Sequence, residues 1–333
     1  MSKLSPENNF PRNTFSQEIQ SQINTDEELS KIPIKKIKLL DGGVSHYVFE
    51  LILENNSKLY LKKRADHFAQ LPQIKSNPKD IEYEYLALVL FQQIAPENFP
   101  VIVTFNKEKN YMLLTDAMPN KDDQRLEDLF LQNQVNSQII TMLGKTLSRI
   151  HILTANYQNP IRKPDDREHY QLKLLHRLGY RKHSSLYWAI QELTKLKNKQ
   201  LILGDPAPKN IGVNNNGKSC TFFDMEEAHL GDPLFDYAYL LGHIIVHNLN
   251  NEKKLLEQIL NFERSYNNSR FNLRLVRTVA LGIVLYRLNS IVPYPLNISI
   301  NLKKKFESKI ENNVLYLDLE FMDWKEIIKI IHT

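Results

Sequence analysis

Three oxygen-bearing side chains, Asp205, Asn210 and Asp224, stand close together in the stretch LILGDPAPKNIGVNNNGKSCTFFDMEEAHLGDPLFDYAYLLGH that begins at Leu201. Leu201-Ile202-Leu203 reads as a short strand that delivers Asp205 at its end. Pro206 and Pro208 lack an N–H and restrict the residues before them, so Asn210 is presented from an irregular loop. Ile211 to Val213 reads as a strand, Asn214-Asn215-Asn216-Gly217 as a turn suited to positive φ, and Ser219 to Phe223 as the returning strand. Asp224 then closes the hairpin beside the loop that carries the other two. This set suits phosphoryl transfer. Asp205 can orient a hydroxyl and accept its proton, while Asp224 and Asn210 offer Mg²⁺ the hard oxygens it prefers against the phosphates of ATP. Taken singly, each is an ordinary turn residue; their spacing sets them apart.

The elements that must position these groups lie upstream. Ile34 to Leu40, Tyr47 to Leu53 and Lys58 to Lys63 read as three antiparallel strands. The first hairpin is tipped by Gly42-Gly43, where bare backbone N–H groups can approach phosphate. Alternation along the third strand puts Tyr60 and Lys62 on one face and Leu61 and Lys63 on the other. Lys62 is expected to face the phosphates, with Lys63 as the alternative. Asp80 to Gln93 reads as a helix with Asp80 at its N-cap. Glu82 aligns with Leu86 and Leu90 on an apolar stripe and is expected to steady the lysine, with Glu84 as the runner-up. A further hairpin, Pro100 to Phe105 and Tyr111 to Thr115, ends in Asp116-Ala117-Met118-Pro119. From Leu126 onward the pattern is mainly helical: Ile139 to Leu153, about 168–180 and 183–197, Pro233 to Asn248, and about 251–266, 270–290, 301–311 and 322–331.

Together these pieces resemble the aminoglycoside phosphotransferase/choline kinase family. Its pattern is roughly His-Gly-Asp, four residues, Asn, then Ile/Phe-Asp-x-Glu-x-Ala and Gly-Asp-Pro-x-x-Asp-x-Ala. The chain carries Gly204-Asp205, Asn210, Phe223-Asp224-Met225-Glu226-Glu227-Ala228, Gly231-Asp232-Pro233 and Asp236-Tyr237-Ala238 in that order. Leu203 stands where the family usually has His. The resemblance spans about residues 34 to 290. It implies an α+β, two-lobed, protein-kinase-like fold: an antiparallel sheet with one helix, then a mostly helical lobe, with ATP and Mg²⁺ between them. The implied divisions are a polar extension over 1–33, a nucleotide-binding lobe over 34–117 and a catalytic, acceptor-binding lobe over 118–333. It implies Asp205 as the catalytic residue, Asn210 and Asp224 as metal ligands, and Gly42, Gly43, Lys62 and Glu82 around the phosphates. Leu114, Asp116 and Ala117 would read the adenine edge. Asp236 would hold the catalytic-loop backbone, and His151 would pack or cap. The implied reaction moves the γ-phosphoryl group of ATP to a hydroxyl of a small molecule, of a class the sequence does not name. A nucleotide-binding pseudokinase is the alternative, and Leu203 is its one support. The short interval between Asp224 and Gly231 leaves no room for the long activation loop of protein kinases.

Composition sets outer bounds. The 333 residues include 43 Lys and Arg, 38 Asp and Glu and one cysteine, for a net charge of +5. The cations are dispersed, which argues for solvated surface and against nucleic-acid binding. Cys220 has no partner for a disulfide within the chain and reads as a small buried hydrophobe. The N-terminus carries no apolar signal core and no apolar run approaches membrane-spanning length, so a soluble cytoplasmic protein is expected. Oligomeric state is not legible. Gly212 to Ser219 matches the letters of a P-loop, but β-branched and aromatic residues follow where a helix is required. His243 and His247 share a zinc-compatible spacing without a third ligand and read as ordinary helix residues.

Overall fold

The computed structural model describes residues 17, 21–23, 25–40, 45–162, 166–179, 182–195, 199–267, 271–289 and 294–333. Gly42 and Gly43 lie outside the described residues, so the expected phosphate-covering tip does too. Five strands form one antiparallel sheet in the order β1 (Ile34–Leu39), β2 (His46–Leu53), β3 (Lys58–Arg64), β5 (Tyr111–Thr115), β4 (Ile102–Asn106). Helix α1 (Ile81–Ile94) connects β3 to β4 and packs on one sheet face. The pleat sorts the side chains. Phe49, Leu51, Leu61 and Leu113 point into a small core closed by Ile23 and Leu29, whereas Met112 and Leu114 join Leu88 and Phe91 of α1 in the large core. Lys62 pairs across the sheet with Val48 and Met112, which puts it on the α1 face.

The chain then becomes largely helical. β6 (Gln124–Arg125) leads into α2 (Leu126–Leu131), α3 (Ser137–Leu153), α4 (Arg167–Arg177) and α5 (Ser184–Lys195). β7 (Gln200–Ile202), β8 (Ile211–Asn214), β9 (Ser219–Phe222) and β10 (His229–Gly231) frame the loops that carry Asp205, Asn210 and Asp224. α6 (Pro233–Asn248), α7 (Glu252–Tyr266), α8 (Leu273–Leu288), α9 (Ile300–Asn312) and α10 (Trp324–His332) follow. This is a mixed α+β kinase-like fold, with an antiparallel N-terminal sheet and a helical C-terminal region, as the sequence leads one to expect.

The sequence explains the anchor points. Asp232 caps α6 by accepting from the Leu234 N–H at 2.8 Å, and Pro233 follows at the first helical position, where no N–H is needed. α6 is apolar on nearly all sides because it is buried on nearly all sides, with α8 packed along it. Gly242 permits that approach: a Cβ there would meet the Ala280 carbonyl oxygen at 2.7 Å. The P-loop-like letters fall on the tip between β8 and β9, which pair from Ile211–Phe222 to Asn214–Ser219. Cys220 is buried in β9, and burial pushes its thiol up to about 12. Among the described residues no helix is long and apolar enough to cross a membrane.

Candidate active site

The loop after β7 is held from below. The N–H groups of Leu203 and Gly204 donate to the two carboxylate oxygens of Asp236 at 2.7 and 2.8 Å. Asp236 is fully buried and also meets His151 Nε2 at 3.1 Å, while His151 Nδ1 faces the Tyr266 hydroxyl at 2.5 Å. This network secures the loop backbone with Leu203 in place of the family's His. Gly204 has φ +77°, and a Cβ there would lie 2.0 Å from the Glu227 carbonyl oxygen, so only glycine fits before Asp205.

Asp205 is 8% exposed, and Asn210 Nδ2 donates to its backbone oxygen at 3.1 Å. That bond fixes the amide and turns the Asn210 carbonyl oxygen to the other side. Asp224 sits in the left-handed region at φ 67°, ψ 62°, a conformation that costs a non-glycine residue about 1–3 kcal/mol. Strain of this kind persists where surrounding contacts over-determine it, and one such contact is Lys62 Nζ, 2.7 Å from Asp224 Oδ1. Asn210, Asp224 and Lys62 line one cavity of about 540 Å³. Its far wall is Leu114, Thr115, Asp116, Ala117 and Met118, at the end of β5. The Asp116 carboxylate accepts from the Met118 N–H at 2.9 Å, and Asn214 Nδ2 donates to the Ala117 carbonyl at 3.2 Å. Asp205 lies behind Asn210 and is not among the lining residues.

The lysine's helical partner differs from the expectation. Lys62 Nζ donates to Glu84, which is 1% exposed and also accepts from the Met225 N–H at 3.2 Å. Glu82 instead pairs with Lys107 at 2.8 Å on the outer side of α1. The reason lies in the helix pattern. α1 is apolar around most of its circumference, so more than one stripe can be drawn. The buried one runs through Ile81, Glu84, Leu88 and Phe91, and Leu86, which aligned Glu82 inward, is 43% exposed. Lys63, on the opposite sheet face, reaches Gln22 Oε1 at 3.0 Å and the Lys109 carbonyl at 2.9 Å. Burial opposes a charged Lys62, yet Asp224, Glu84 and Glu226 hold its pKa above the ordinary lysine value.

His46 at this end escaped the sequence reading, and it meets Glu226, which the sequence showed only as part of the motif. His46 is 2% exposed; its Nδ1 is 3.3 Å from Glu226 Oε2 and its Nε2 is 3.5 Å from Glu84 Oε2. Glu226 also accepts from Ser45 and lies 3.8 Å from Arg64. Burial pushes the Glu226 carboxyl up, but its bond to His46 and the charge of Lys62 leave it below the usual carboxylate range. A signal was present for His46: it is two residues from Val48, the cross-strand partner of Lys62, and alternation places it on the same face. The donor atoms of His46, Asp224 and Glu226 lie within 4.8 Å of one another, close enough to share a cation.

At the Asp205 end the neighbours are cationic and aromatic. Arg287 Nη2 is 3.9 Å from Asp205 Oδ1 and donates to the Tyr239 hydroxyl at 2.7 Å. Arg177, at the end of α4, donates to the Tyr286 hydroxyl. Burial pushes the Asp205 carboxyl up, but Arg177, Lys173, Lys209 and Arg287 together bring it below its ordinary value. His243 and His247 both face the Tyr294 hydroxyl at 2.9 Å, which accounts for their spacing without a metal.

The phosphotransferase enzyme family's sequence profile matches residues 36–274, most of the chain and all of this site except Tyr286, Arg287 and Tyr294 at the Asp205 end. The chain belongs to that family. No curated protein matches the sequence. Solved structures of similar fold include an aminoglycoside phosphotransferase from Alicyclobacillus acidocaldarius (TM-score 0.54, 13% identity, 95% of this chain and 96% of that one). Choline kinase LicA from Streptococcus pneumoniae is another (0.52, 11%, 96% and 99%), as is the amicoumacin kinase hAmiN, solved with AMP-PNP, Ca²⁺ and Ami (0.50, 13%, 92% and 98%). At such identities the likeness is one of fold.

Proposed function

We propose that this family member is an ATP- and Mg²⁺-dependent small-molecule kinase, with a nucleotide-binding lobe over 34–117 and a catalytic lobe over 118–333. The carrying observation is the meeting of Lys62, Asp224 and Asn210 on one cavity wall, with Lys62 Nζ 2.7 Å from Asp224 and Asp205 joined to the same wall through Asn210. The cavity suits a nucleotide: Leu114 and Val48 supply apolar walls near the Leu114–Ala117 edge, and Lys62 stands at the polar end. The donor set fits Mg²⁺. Asp224 uses Oδ1 for Lys62, the Asn210 amide donates through nitrogen and keeps its oxygen, and both are hard ligands. Bound there, the ion would neutralise phosphate charge.

The protein's own groups do the rest. Lys62, held by Glu84, meets the phosphates. Asp205, ionised above its lowered pKa, orients the acceptor hydroxyl and takes its proton. The hydroxyl oxygen forms a bond to the γ-phosphorus as the bond from that phosphorus to the bridging oxygen breaks, and ADP leaves with the electron pair. The positional and electrostatic character of this step concentrates its cost in few residues. The test is ATP consumption by the purified protein with Mg²⁺ across a panel of hydroxyl-bearing metabolites. Turnover with at least one acceptor, reduced about 10²–10⁴-fold in Asp205→Asn, is expected. Mg²⁺-dependent ATP binding with no turnover across a broad panel would instead identify a nucleotide-binding pseudokinase.

A further inference from the structure

Four cations converge on the carboxylate that would orient the acceptor. Lys173 and Arg177 lie one helical turn apart on α4, Arg287 comes from the end of α8, and Lys209 from the loop before β8. Lys173 is satisfied by Glu227 Oε2 at 2.9 Å. Arg177 feels the Glu227 charge without pairing with it, and among the described residues Arg287 and Lys209 have no carboxylate of their own. Among the described residues, their one ion pair is Arg287 with Asp205, at a loose 3.9 Å. The remaining acid facing Arg287 is Glu127, whose carboxyl burial holds toward the neutral form. Both arginines lean instead on aromatic groups: Arg287 over the rings of Tyr286 and Tyr294 at 5.0 and 4.6 Å, and Arg177 over Tyr286 at 4.7 Å.

Arg177 Nε is buried without a hydrogen-bond partner, and so is Asp205 Oδ1. A buried guanidinium with an unused donor is costly, and the planar fork of arginine is suited to a carboxylate or phosphate. Arg177 and Tyr286 are half-buried, so this wall meets solvent. A cationic acceptor would have to approach Asp205 past these like charges, whereas an anionic one would complete them.

We propose that the phosphoryl acceptor is an anion: a hydroxyl compound bearing a carboxylate or phosphate group, held by Arg177 and Arg287 beside Asp205. The identity of the step rests on the kinase reading above; the charge preference rests on the arginines alone.

Calorimetric titration of the full-length protein, saturated with AMP-PNP and Mg²⁺, tests it with probes matched except in charge: ribose, ribose 5-phosphate, gluconate and choline. One or both anions are expected to bind at least about tenfold more tightly than ribose, the scale of one charge-assisted hydrogen bond. Ribose 5-phosphate against gluconate separates phosphate from carboxylate. The preference should vanish in Arg177→Gln and persist in Arg177→Lys, with thermal unfolding showing that both variants are folded. Equal binding of all probes, no anion binding, or preference for choline would overturn the proposal. The same probes in the ATP-consumption assay keep the two readings apart. Anion binding without turnover would count against the kinase and leave the site standing; turnover of a neutral or cationic hydroxyl without anion preference would do the reverse.

Discussion

The two ends of the site are built on opposite electrostatic plans. Around Lys62 the acids dominate: Glu84, Asp224 and Glu226 face Lys62 and Arg64, with His46 wedged between Glu84 and Glu226. Around Asp205 the bases dominate: Lys173, Arg177, Arg287 and Lys209 face the carboxylates of Asp205 and Glu227. The first arrangement accommodates an added cation, as a metal-bound nucleotide supplies. The second accommodates an added anion. A carboxylate's surroundings, more than its identity, decide what it can host: Asp224 is a ligand candidate because acids accompany it, and the Asp205 carboxyl is held below its ordinary value because cations do.

The largest effect should come from the acid-rich end. Asp224→Asn is expected to lower kcat by about 10²–10³-fold and to weaken Mg²⁺-dependent nucleotide binding, because it removes both a metal ligand and the partner of Lys62. Near-normal turnover in steady-state assays would break the contrast at its root. Next is Glu84→Ala, which leaves Lys62 buried without its helical partner. Loss of one member of a buried pair costs about 3–5 kcal/mol, readable as a lowered urea midpoint. An unchanged midpoint would show that Asp224 alone satisfies the lysine.

The base-rich end should report through pH. The folded-state pKa of Asp205 lies below its ordinary value. Its ionised form is therefore retained as pH falls through the usual carboxylate range, and activity and the linked stability are lost only as pH falls through the lowered value. Removing a cation in Arg177→Gln should move the acid limb of the kcat profile upward, toward the ordinary range. A limb that stays put would mean that Arg177 does not act on Asp205. The smallest effect is Glu82→Ala. Its partner Lys107 is 67% exposed, so the change should stay within about 0.5 kcal/mol in the same urea titration. A loss rivalling that of Glu84→Ala would overturn the assignment of the lysine's partner.

Much of the candidate site was legible because it is local. Proline positions and the Asn-Gly turn place Asp205, Asn210 and Asp224 within a few residues of chain; strand alternation separated Lys62 from Lys63, and the sheet decided which of them faces α1. His46 was legible by the same alternation once its strand register was known. Glu82 was misread because α1 is apolar almost all round, and a helix of that kind does not declare its inner stripe. Which stripe turns inward is set by the sheet and by the loop carrying Met225, both distant in sequence.

The order of the chemical groups, the turns that present them and the family pattern they compose were readable from the chain, since each depends on backbone preferences that act over one turn or one strand. Tertiary structure decided that Glu84 and not Glu82 holds Lys62, that Glu226 meets His46, and that Arg287 comes to Asp205 with Arg177 beside it over Tyr286. Those contacts join helices and loops far apart in the chain, and their partners are chosen by packing around a common core, which no local pattern encodes.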